Sequence, residues 1–341
     1  MLNMGILGMG KMGEFHAGWI NANKDMKLVA ICEKNEKRIA ELKQKYDVPI
    51  YRDVNEFLKV KDIDYVVIVT THESHEELTV LALENKKNVI VEKPMSMNYE
   101  STLRMIRAAE KNDKNLFVHH SSRWDRDFLL IKKIIKEGTL GDILLIRTSV
   151  MLCDEGWPAW GIEGMANPWR IKKEYGGGML LDWGPHLIDQ VLMLVKDDPI
   201  RVYGVLQSGV WSKEVDDYFF ADLKFKNNII CQIEASNNAR MDLPRWYIIG
   251  TKGTLVVPGR SIPTWEDVEL TYVRHNGKSE YQKVKLIGSC ESGIEGGFYE
   301  DLVPYLNGKI KEFVSMYEAS KVVKILDMIR KSNEENRFVE Y

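Results

Sequence analysis

The stretch GILGMGKMGEFH, residues 5–16, places Gly8, Gly10 and Gly13 in the spacing G-x-G-x-x-G. It follows the apolar run Met4–Leu7 and opens a segment with helical spacing, within a strand–helix–strand unit of about thirty residues. Gly8 allows a tight turn, Gly10 lets the backbone approach a pyrophosphate, and Gly13 lets helix and sheet pack closely. The helix N-terminus then offers free N–H groups to phosphates. The loop therefore predicts a dinucleotide site that also includes Met9, Lys11 and Met12.

Around this loop, residues 1–122 alternate apolar, strand-like runs with polar segments of helical spacing. Such alternation with short links favours a doubly wound α/β domain, in which helices cover both faces of a parallel sheet. Strands are predicted at Met4–Leu7, Leu28–Cys32, Pro49–Tyr51, Tyr65–Val69, Asn88–Val91 and Leu116–His119, and helices at Glu36–Tyr46, Ser74–Glu84 and Glu100–Lys111.

Residues 123–341 have a different texture. A helix (Phe128–Lys136) and a strand (Ile143–Val150) precede a long irregular stretch, and from Ile200 to about Leu286 strand-like runs follow one another without helices. That order favours an open, largely antiparallel sheet, with a hairpin at the Asn-Asn of FKNNIICQI, residues 225–233. A helix over Lys311–Arg330 closes the chain. With 341 residues, we predict two domains, 1–122 for the dinucleotide and 123–341 for substrate and oligomerisation.

Bulk composition narrows the class of protein. A formal net charge of −3 gives no general attraction to nucleic acid or to anionic membranes, and no apolar run approaches the length of a membrane span. The strand that begins almost at Met1 leaves no room for a signal peptide. Four dispersed cysteines without a CxxC pair favour a reduced, cytoplasmic protein.

The second predicted strand ends at Glu33, twenty residues after Gly13. An acid at this point accepts hydrogen bonds from an adenosine ribose and repels a 2′-phosphate, so NAD is favoured over NADP. Lys34 and Arg38 weaken that preference because either side chain is able to reach a phosphate, and NADP stays open as the alternative.

The next strand ends in THESH, residues 71–75, preceded by Thr70. Ligands of doubly wound sheets lie outside the carboxyl ends of strands, so Thr70, Thr71, His72 and His75 are predicted to line the cofactor site. The His-x-x-His spacing also suits a metal, but no third ligand is evident from spacing, and we predict none.

The stretch NVIVEKP, residues 88–94, carries a buried strand into Glu92, Lys93 and Pro94. A charged pair after a core strand indicates either a loop entering solvent or a site on the rim of the sheet. Lysine is almost never buried without a partner.

A candidate partner lies in YGGGMLLDWGPHLIDQVLMLV, residues 175–195. Asp182 is a plausible N-cap of a helix whose first turn tolerates Pro185. On that helix Asp182, His186, Asp189 and Gln190 share a polar face. The face is either simply wet or, because an acid and a histidine stand one turn apart, part of a site for proton transfer.

The segments GMGKMG, EKP and GGGMLLDWGPHLID, in this order and at these separations, resemble the Gfo/Idh/MocA oxidoreductase family, and RWYIIGTKGTLVV (residues 245–257) is similar to that family's C-terminal sheet. The resemblance implies an N-terminal Rossmann domain and a C-terminal α/β domain whose open sheet pairs in homodimers or homotetramers. It also implies that Lys93, Asp182 and His186 form the catalytic group, with a nicotinamide and a sugar or cyclitol between the domains. Where the family often has Pro-Asn, this chain has Thr71-His72.

On this interpretation the reaction is reversible oxidation of a ring CH–OH to a ketone. His186 is predicted to act as general acid and base. Lys93, with Glu92 in the same wall, is predicted to bind the substrate oxygen beside the cofactor and is also able to share the proton transfer, and Asp182 is predicted to orient the substrate or His186. Aromatic and basic side chains are predicted to bind the carbohydrate, to form an oligomer contact or to pack in the fold: Arg123, Trp124, Trp157, Trp160, Trp169, Arg170, Lys172 and Lys173. The basic residues among them leave an acidic or phosphorylated sugar open as the substrate.

Two other functions stay open at this point. One is an NAD-dependent enzyme that cleaves glycosides through transient sugar oxidation. The other is a non-catalytic dinucleotide-binding regulator on the same fold, which has no need of both the lysine and the histidine.

Overall fold

In this computed structural model, the described residues are 1–153, 157–161, 168–259, 269–275, 279–285 and 297–341. Cys290 and parts of the aromatic-rich stretch before Gly176 therefore lie outside the described residues. Two sheets organise the described chain, one of six strands and one of nine.

The six-stranded sheet is parallel and has the order β3-β2-β1-β4-β5-β6. Its chain order reverses between β1 and β4, which leaves a crevice at the carboxyl ends of those strands. The predicted doubly wound domain is confirmed. Its strands are β1 Leu2–Leu7, β2 Met26–Cys32, β3 Ile50–Tyr51, β4 Tyr65–Ile68, β5 Asn88–Glu92 and β6 Leu116–His119, and its helices are α1 Lys11–Ala22, α2 Glu36–Lys45, α3 Val54–Leu58, α4 His75–Glu84 and α5 Tyr99–Asn112.

The nine-stranded sheet is mixed and largely antiparallel, as predicted, with β7 and β10 its parallel pair. The predicted hairpin joins β9 to β10, and Asn228 adopts the positive φ (64°) that such a turn requires. The strands are β7 Ile143–Met151, β8 Pro199–Gln207, β9 Tyr218–Phe225, β10 Ile230–Ser236, β11 Trp246–Gly250, β12 Gly253–Val257, β13 Glu269–His275, β14 Ser279–Lys285 and β15 Val339–Glu340.

The helices of the second half differ from prediction in their bounds. They are α6 Arg126–Lys136, α7 Met179–Asp182, α8 Gly184–Val195, α9 Gly297–Leu306 and α10 Met316–Glu335. Asp182 is therefore not an N-cap but the last residue of the short helix α7, and α9 was not predicted. The last helix starts later than predicted because Ser315 and Glu318 form a capping box at its N-terminus. None of the described helices combines the length and the hydropathy needed to cross a bilayer.

Two apolar cores lie on the two sheets, one centred on β1, β4 and β5 and the other between the mixed sheet and helices α6, α8 and α10. Helix α9 returns to the first core, where Phe298, Tyr299 and Leu302 are buried. The C-terminal segment thus ties the second half to the first. The predicted division between residues 122 and 123 stays a prediction.

Candidate active site

A cleft of about 730 Å³ opens at the carboxyl ends of β1, β2, β4 and β5 and is bounded on its other side by residues of the second half. This volume is in the range of small-molecule and cofactor sites. The predicted cofactor residues along its wall are Gly8, Met9, Gly10, Lys11, Met12, Glu33, Lys34, Arg38, Thr70, Thr71, His72, Glu92 and Lys93. Across from them lie Trp160, Trp169, Arg170, Tyr175 and Asp182.

The glycine loop fits a dinucleotide on steric grounds. A Cβ on Gly8, whose φ is +96°, would lie 2.5 Å from the carbonyl oxygen of Val69. A Cβ on Gly13 would lie 2.3 Å from the carbonyl oxygen of Gly8, so only glycine lets α1 start this close to the β1 turn. At Gly10, by contrast, nothing lies within 4 Å of an added Cβ, and the backbone borders open cleft. That is the space a pyrophosphate needs beside the helix N-terminus.

Glu33 stands at the end of β2, where its Oε2 accepts a hydrogen bond from the Met9 N–H (2.9 Å) and its Oε1 accepts one from the Asn35 N–H (2.9 Å). The carboxylate is thereby held at the mouth of the glycine turn. Lys34 lines the same cleft.

Arg38 requires a correction. Its Nε donates to the carbonyl oxygen of Met9 (2.8 Å), and its guanidinium pairs with Glu14 (2.6 Å) and Glu41 (2.8 Å). The residue is buried and its charge already has two carboxylate partners. Although it lines the cleft, it therefore supports the glycine loop and offers no free cation to a 2′-phosphate.

The THESH segment divides into residues that face the cleft and one that does not. Thr70, Thr71 and His72 line the cleft, and His72 Nδ1 contacts the carbonyl oxygen of Gly176 (2.8 Å), which joins the first half to the glycine-rich turn of the second. His75 is fully buried between the carbonyl oxygens of Pro94 and Thr70. The prediction that His75 contacts the cofactor is therefore replaced by a structural role in the turn after Lys93.

Lys93 and Asp182 meet across the cleft. The Lys93 ammonium donates to Asp182 Oδ1 (2.9 Å) and to the Asp182 carbonyl oxygen (2.7 Å). Asp182 Oδ2 accepts from the Trp157 indole (2.8 Å) and lies 3.5 Å from Arg170 Nε. Burial acts to raise the pKa of Asp182, but Lys93 and Arg170 outweigh it and hold the pKa below its usual range. The carboxylate stays ionised and fixes the lysine.

His186 lies on α8, one turn beyond Asp182, and is close enough to Lys93 and Asp182 for both charges to act on it. Its Nδ1 lies 3.0 Å from the Ser122 Oγ. Burial, then the positive charge of Lys93 and the neighbouring His120, hold the pKa of His186 well below its usual range, against the opposing effect of Asp182. The imidazole is therefore neutral at physiological pH, the form able to accept a proton.

The polar face of α8 is not wet. Asp189 is 3% exposed and Gln190 is fully buried. Arg123 donates to both oxygens of Asp189 (2.7 and 2.6 Å), and Gln190 Nε2 donates to the Ser122 carbonyl oxygen (2.6 Å). The solvent-facing interpretation of this face was wrong: it is the interface between α8 and the turn that follows β6.

Some of the predicted substrate residues line the cleft, and others pack elsewhere in the fold. Arg170 stacks between Trp160 and Trp169, with its guanidinium carbon 4.8 and 4.4 Å from the two ring centroids, and Lys11 lies 4.6 Å from the Trp160 centroid. Together they form an aromatic and cationic wall of the cleft, to which Trp169 and Arg170 contribute directly.

Arg123 and Trp124 require a correction. Arg123 is bound to Asp189, to Glu318 and to the Phe313 carbonyl oxygen, while the Trp124 indole donates to Asp301 (2.8 Å) and packs on Phe298 and Phe313. Both residues therefore anchor the turn after β6 and helix α9, and their predicted contact with substrate is replaced by this packing role.

Several residues around the site were missed from the sequence. Glu92 Oε1 binds His16 Nε2 (2.8 Å) and His119 Nδ1 (2.6 Å), its Oε2 accepts from the Lys93 N–H (3.0 Å), and His16 Nδ1 contacts the Tyr299 hydroxyl (2.5 Å). The two histidines hold the pKa of Glu92 well below its usual range against burial. The rule that polar residues at strand ends build the site would have found His119 and Ser122, since His119 ends β6 and Ser122 lies in the turn that follows. Nothing local to α1 or α9 marks His16 or Tyr299.

His16, Glu92 and His119 also have the composition of a metal site, with ligand atoms within 4.8 Å of one another. All three are buried and already joined by hydrogen bonds, and the carboxylate additionally binds the backbone beside Lys93. In the structure these three residues hold in place the segment that carries Lys93.

Two family models match the chain. Residues 2–120 match the oxidoreductase family with an NAD-binding Rossmann fold, and residues 128–256 match the GFO/IDH/MocA C-terminal domain. Among curated proteins, the chain is 28% identical over 260 residues to myo-inositol 2-dehydrogenase of Thermotoga maritima, covering 74% of each. It is 31% identical to scyllo-inositol 2-dehydrogenase (NADP(+)) IolW of Bacillus subtilis, covering 66% of this chain and 60% of that protein.

Among solved structures, an NAD-binding protein from Listeria innocua is 30% identical, superimposes with a TM-score of 0.84, and is matched over 99% of this chain and 96% of that one. Both halves of the chain therefore match models of one family. The chain belongs to the Gfo/Idh/MocA family of NAD-binding oxidoreductases.

Proposed function

We propose that this oxidoreductase reversibly oxidises a ring CH–OH of a sugar, sugar derivative or cyclitol to a ketone. The observation that carries the proposal is the ion pair of Lys93 from the first half with Asp182 from the second in the wall of the cleft that fits NAD, with His186 one helical turn beyond Asp182. The two curated relatives described above act on inositols, which supports a polyhydroxylated ring as the substrate class.

When bound, NAD supplies the hydride acceptor. The residues of the chain bind and polarise the substrate oxygen. The Lys93 ammonium, held by Asp182 and the backbone, has a third proton free to donate to a hydroxyl or developing alkoxide. The neutral His186 imidazole takes the hydroxyl proton in oxidation and returns it in reduction. Asp182 holds the lysine in place.

The wall formed by Trp160, Trp169 and Arg170 supports a carbohydrate ligand. Aromatic faces cover the apolar CH groups of a sugar ring, and the guanidinium and the Trp157 indole lie beside the carboxylate of Asp182. Arg170 and Lys93 together outnumber the one carboxylate they share, so an acidic sugar belongs on the list of candidate substrates.

The test is NAD reduction with myo-inositol, scyllo-inositol, aldoses, glycosides and sugar acids, repeated with Lys93→Ala and His186→Ala. Turnover is expected to fall by about 10²–10⁴-fold in both variants, since each loses a proton-transfer or oxyanion contact. NAD affinity, measured by fluorescence titration, should change by no more than a few fold. Lys133→Ala, on the exposed face of α6, is the matched control.

Product analysis separates the alternative reactions. Net NADH formation supports a dehydrogenase, whereas cleavage of a glycoside without net NADH would identify the transient-oxidation enzyme. Binding of NAD with no turnover of any compound, and equal behaviour of wild type and both variants, would leave a non-catalytic dinucleotide-binding protein.

The mixed sheet supports self-association into a homodimer or homotetramer. On the face turned away from the helices, Leu145, Arg147, Phe220, Gln232 and Tyr247 remain half-exposed beside one another in the strand register. A second copy of the same face would cover these side chains. Sedimentation of the Leu145→Asp/Tyr247→Asp double variant should then show a smaller assembly than wild type, and unchanged sedimentation would exclude this face.

A cytoplasmic location is part of the same proposal. NAD(H) is the pool that such an enzyme would use, and Cys32, Cys153 and Cys231 are free thiols. Fractionation of cells that express the native chain should recover it with cytoplasmic markers.

A further inference from the structure

Behind His186 lie the hydroxyl of Ser122 and the buried carboxyl of Asp125, and neither group has a part in the mechanism proposed above. The turn Ser121–Trp124 follows β6 directly and brings the Ser122 Oγ to 3.0 Å from His186 Nδ1, the nitrogen on the far side of the ring from Nε2. The carboxyl of Asp125, three residues further along the chain, is close enough to Ser122 for the serine side chain to lower its pKa. Ser122 therefore lies between an imidazole and a carboxyl group.

The bridge is held by the helix that carries His186. Asp189 and Gln190 follow His186 by three and four residues and so lie on the same face of α8. Asp189 fixes Arg123 through two hydrogen bonds, while Gln190 Nε2 donates to the Ser122 carbonyl oxygen (2.6 Å) and to Asp125 Oδ2 (3.1 Å). One helix face thus sets the positions of both ends of the bridge.

The electrostatics of the site give this bridge a task. A proton that stayed on His186 as imidazolium would be buried beside the Lys93 ammonium and next to His120, an environment that disfavours a second cation. The ring avoids this cationic state if its Nδ1 loses a proton as its Nε2 gains one. This requires an acceptor on the Nδ1 side, and Ser122 with Asp125 is placed there.

We propose that Ser122 and Asp125 form a proton relay that lets His186 act as base and acid while it stays neutral; the relay rests on the proposed function. In oxidation the substrate O–H bond breaks as His186 Nε2–H forms, and the C–H electron pair leaves with the hydride to NAD. The Nδ1 proton moves to Ser122 Oγ as the serine's own proton moves to the Asp125 carboxylate. Reduction runs the same transfers backwards.

The surroundings of Asp125 suit a proton acceptor. Burial, and then the negative charge of Asp127, raise the pKa of its carboxyl well above the usual range, although Arg245, Ser122 and Gln190 oppose them. Such a carboxyl takes up a proton more readily than a surface aspartate. Its protonation also decides the direction of the serine hydroxyl. When Asp125 is ionised, it accepts a hydrogen bond from Ser122, and Ser122 accepts one from the Nδ1–H of His186. When Asp125 is protonated, Ser122 is free to donate to Nδ1, and the ring proton of His186 is then on Nε2.

This coupling is measurable without substrate. In protein labelled with ¹⁵N-histidine, with and without NAD, the ring resonances of His186 are assigned by comparison with His186→Gln. Wild type should pass from the Nδ1–H to the Nε2–H tautomer as the pH is lowered, without forming imidazolium. In Ser122→Ala and in Asp125→Asn this switch should disappear. A switch that persists unchanged in either variant, or an imidazolium signal in wild type, would overturn the relay.

Kinetics give the second readout. With whichever of myo-inositol and scyllo-inositol is turned over, Ser122→Ala should lower kcat by about 10- to 100-fold, within the range of proton-transfer contributions, and leave KM within about threefold. Ser122→Thr, which keeps the hydroxyl, should recover most of kcat. Ser320→Ala removes another buried serine hydroxyl, bound within α10, and should match wild type.

A Ser122→Ala enzyme with wild-type kcat and an unchanged pH profile would contradict the proposal. If no compound of the wider substrate panel yields NADH, the proposed function fails instead, and the tautomer measurement still decides on the bridge between Ser122 and His186.

Discussion

The two walls of the cleft are built by different means. On the first wall, the glycine loop and the strand ends place their groups through backbone geometry, with contacts that lie close in sequence or between adjacent strands, such as Glu33 on Met9. On the second wall, Asp182 and His186 are held by side chains from distant segments, among them Lys93, Trp157 and Ser122. The first wall therefore depends on the absence of side-chain atoms, and the second on buried polar pairs. Substitutions in the two walls should fail for different reasons.

The largest effect is expected in the second wall, from Arg123→Met. It would leave the Asp189 carboxylate buried without its partner, at a cost of about 3–5 kcal/mol in the free energy of unfolding. Urea denaturation measures the loss. Lys321→Met, which breaks the exposed pair with Asp198, should cost less than about 1 kcal/mol. Equal losses in the two variants would contradict the claim that buried pairs hold this wall.

In the first wall, Gly13→Ala places a methyl group 2.3 Å from the Gly8 carbonyl oxygen, and we expect the overpacking to cost about 1–3 kcal/mol and to lower NAD affinity. Gly18→Ala lies in the same helix, where nothing is within 4 Å of its Cβ, and should stabilise the fold by about 0.5–1 kcal/mol. Thermal unfolding and fluorescence titration with NAD give both quantities. Gly13→Ala behaving like Gly18→Ala would remove the steric basis of the loop.

Asp216 tests the second wall through pH. Its carboxyl accepts the Leu180 N–H (2.7 Å) at the start of α7, and burial raises its pKa to about 6. A raised carboxyl pKa favours the folded state at low pH, and this stability is lost as the pH rises from about 4 through about 6. Asp216→Asn keeps the acceptor without the charge.

Relative to wild type, Asp216→Asn should therefore gain roughly 2 kcal/mol at about pH 8 over its value at about pH 4, as judged by urea unfolding at both pH values. A difference between the two proteins that is independent of pH would show that this carboxyl does not titrate with folding.

The smallest effect is expected from Glu33→Gln, in the first wall. The amide keeps one acceptor for the Met9 N–H and removes the negative charge that would repel a 2′-phosphate. The ratio of NAD to NADP affinity should fall about tenfold, equivalent to about 1.4 kcal/mol. Asp53→Asn, which also lines the cleft, is the matched control. An unchanged ratio would remove Glu33 from cofactor selection.

The same contrast explains which expectations held. The strands of the first sheet, the glycine loop and the hairpin at Asn228 were predicted because each depends on local patterns: apolar runs, glycine spacing and turn residues. The errors concern polar side chains whose partners are far away in sequence. Arg38, His75, Arg123 and Trp124 looked available for ligands, yet each is engaged by other parts of the chain.

The polar face of α8 shows most clearly what sequence spacing does not predict. Its spacing predicted that His186, Asp189 and Gln190 lie together, and they do. Whether such a face meets water or protein depends on what packs against it, and that partner, the turn after β6, is more than sixty residues earlier in the chain.

By itself the sequence determined the parallel sheet, its cofactor turn, the mixed second sheet and the family, because periodicity and glycine spacing are properties of neighbouring residues. Only the tertiary structure decided which polar groups remain free to act. The pairing of Lys93 with Asp182, the network of Glu92 with His16 and His119, and the contact of Ser122 with His186 join segments that meet only after both cores have formed. A buried charge or imidazole is defined by its partners, and those partners are chosen by packing.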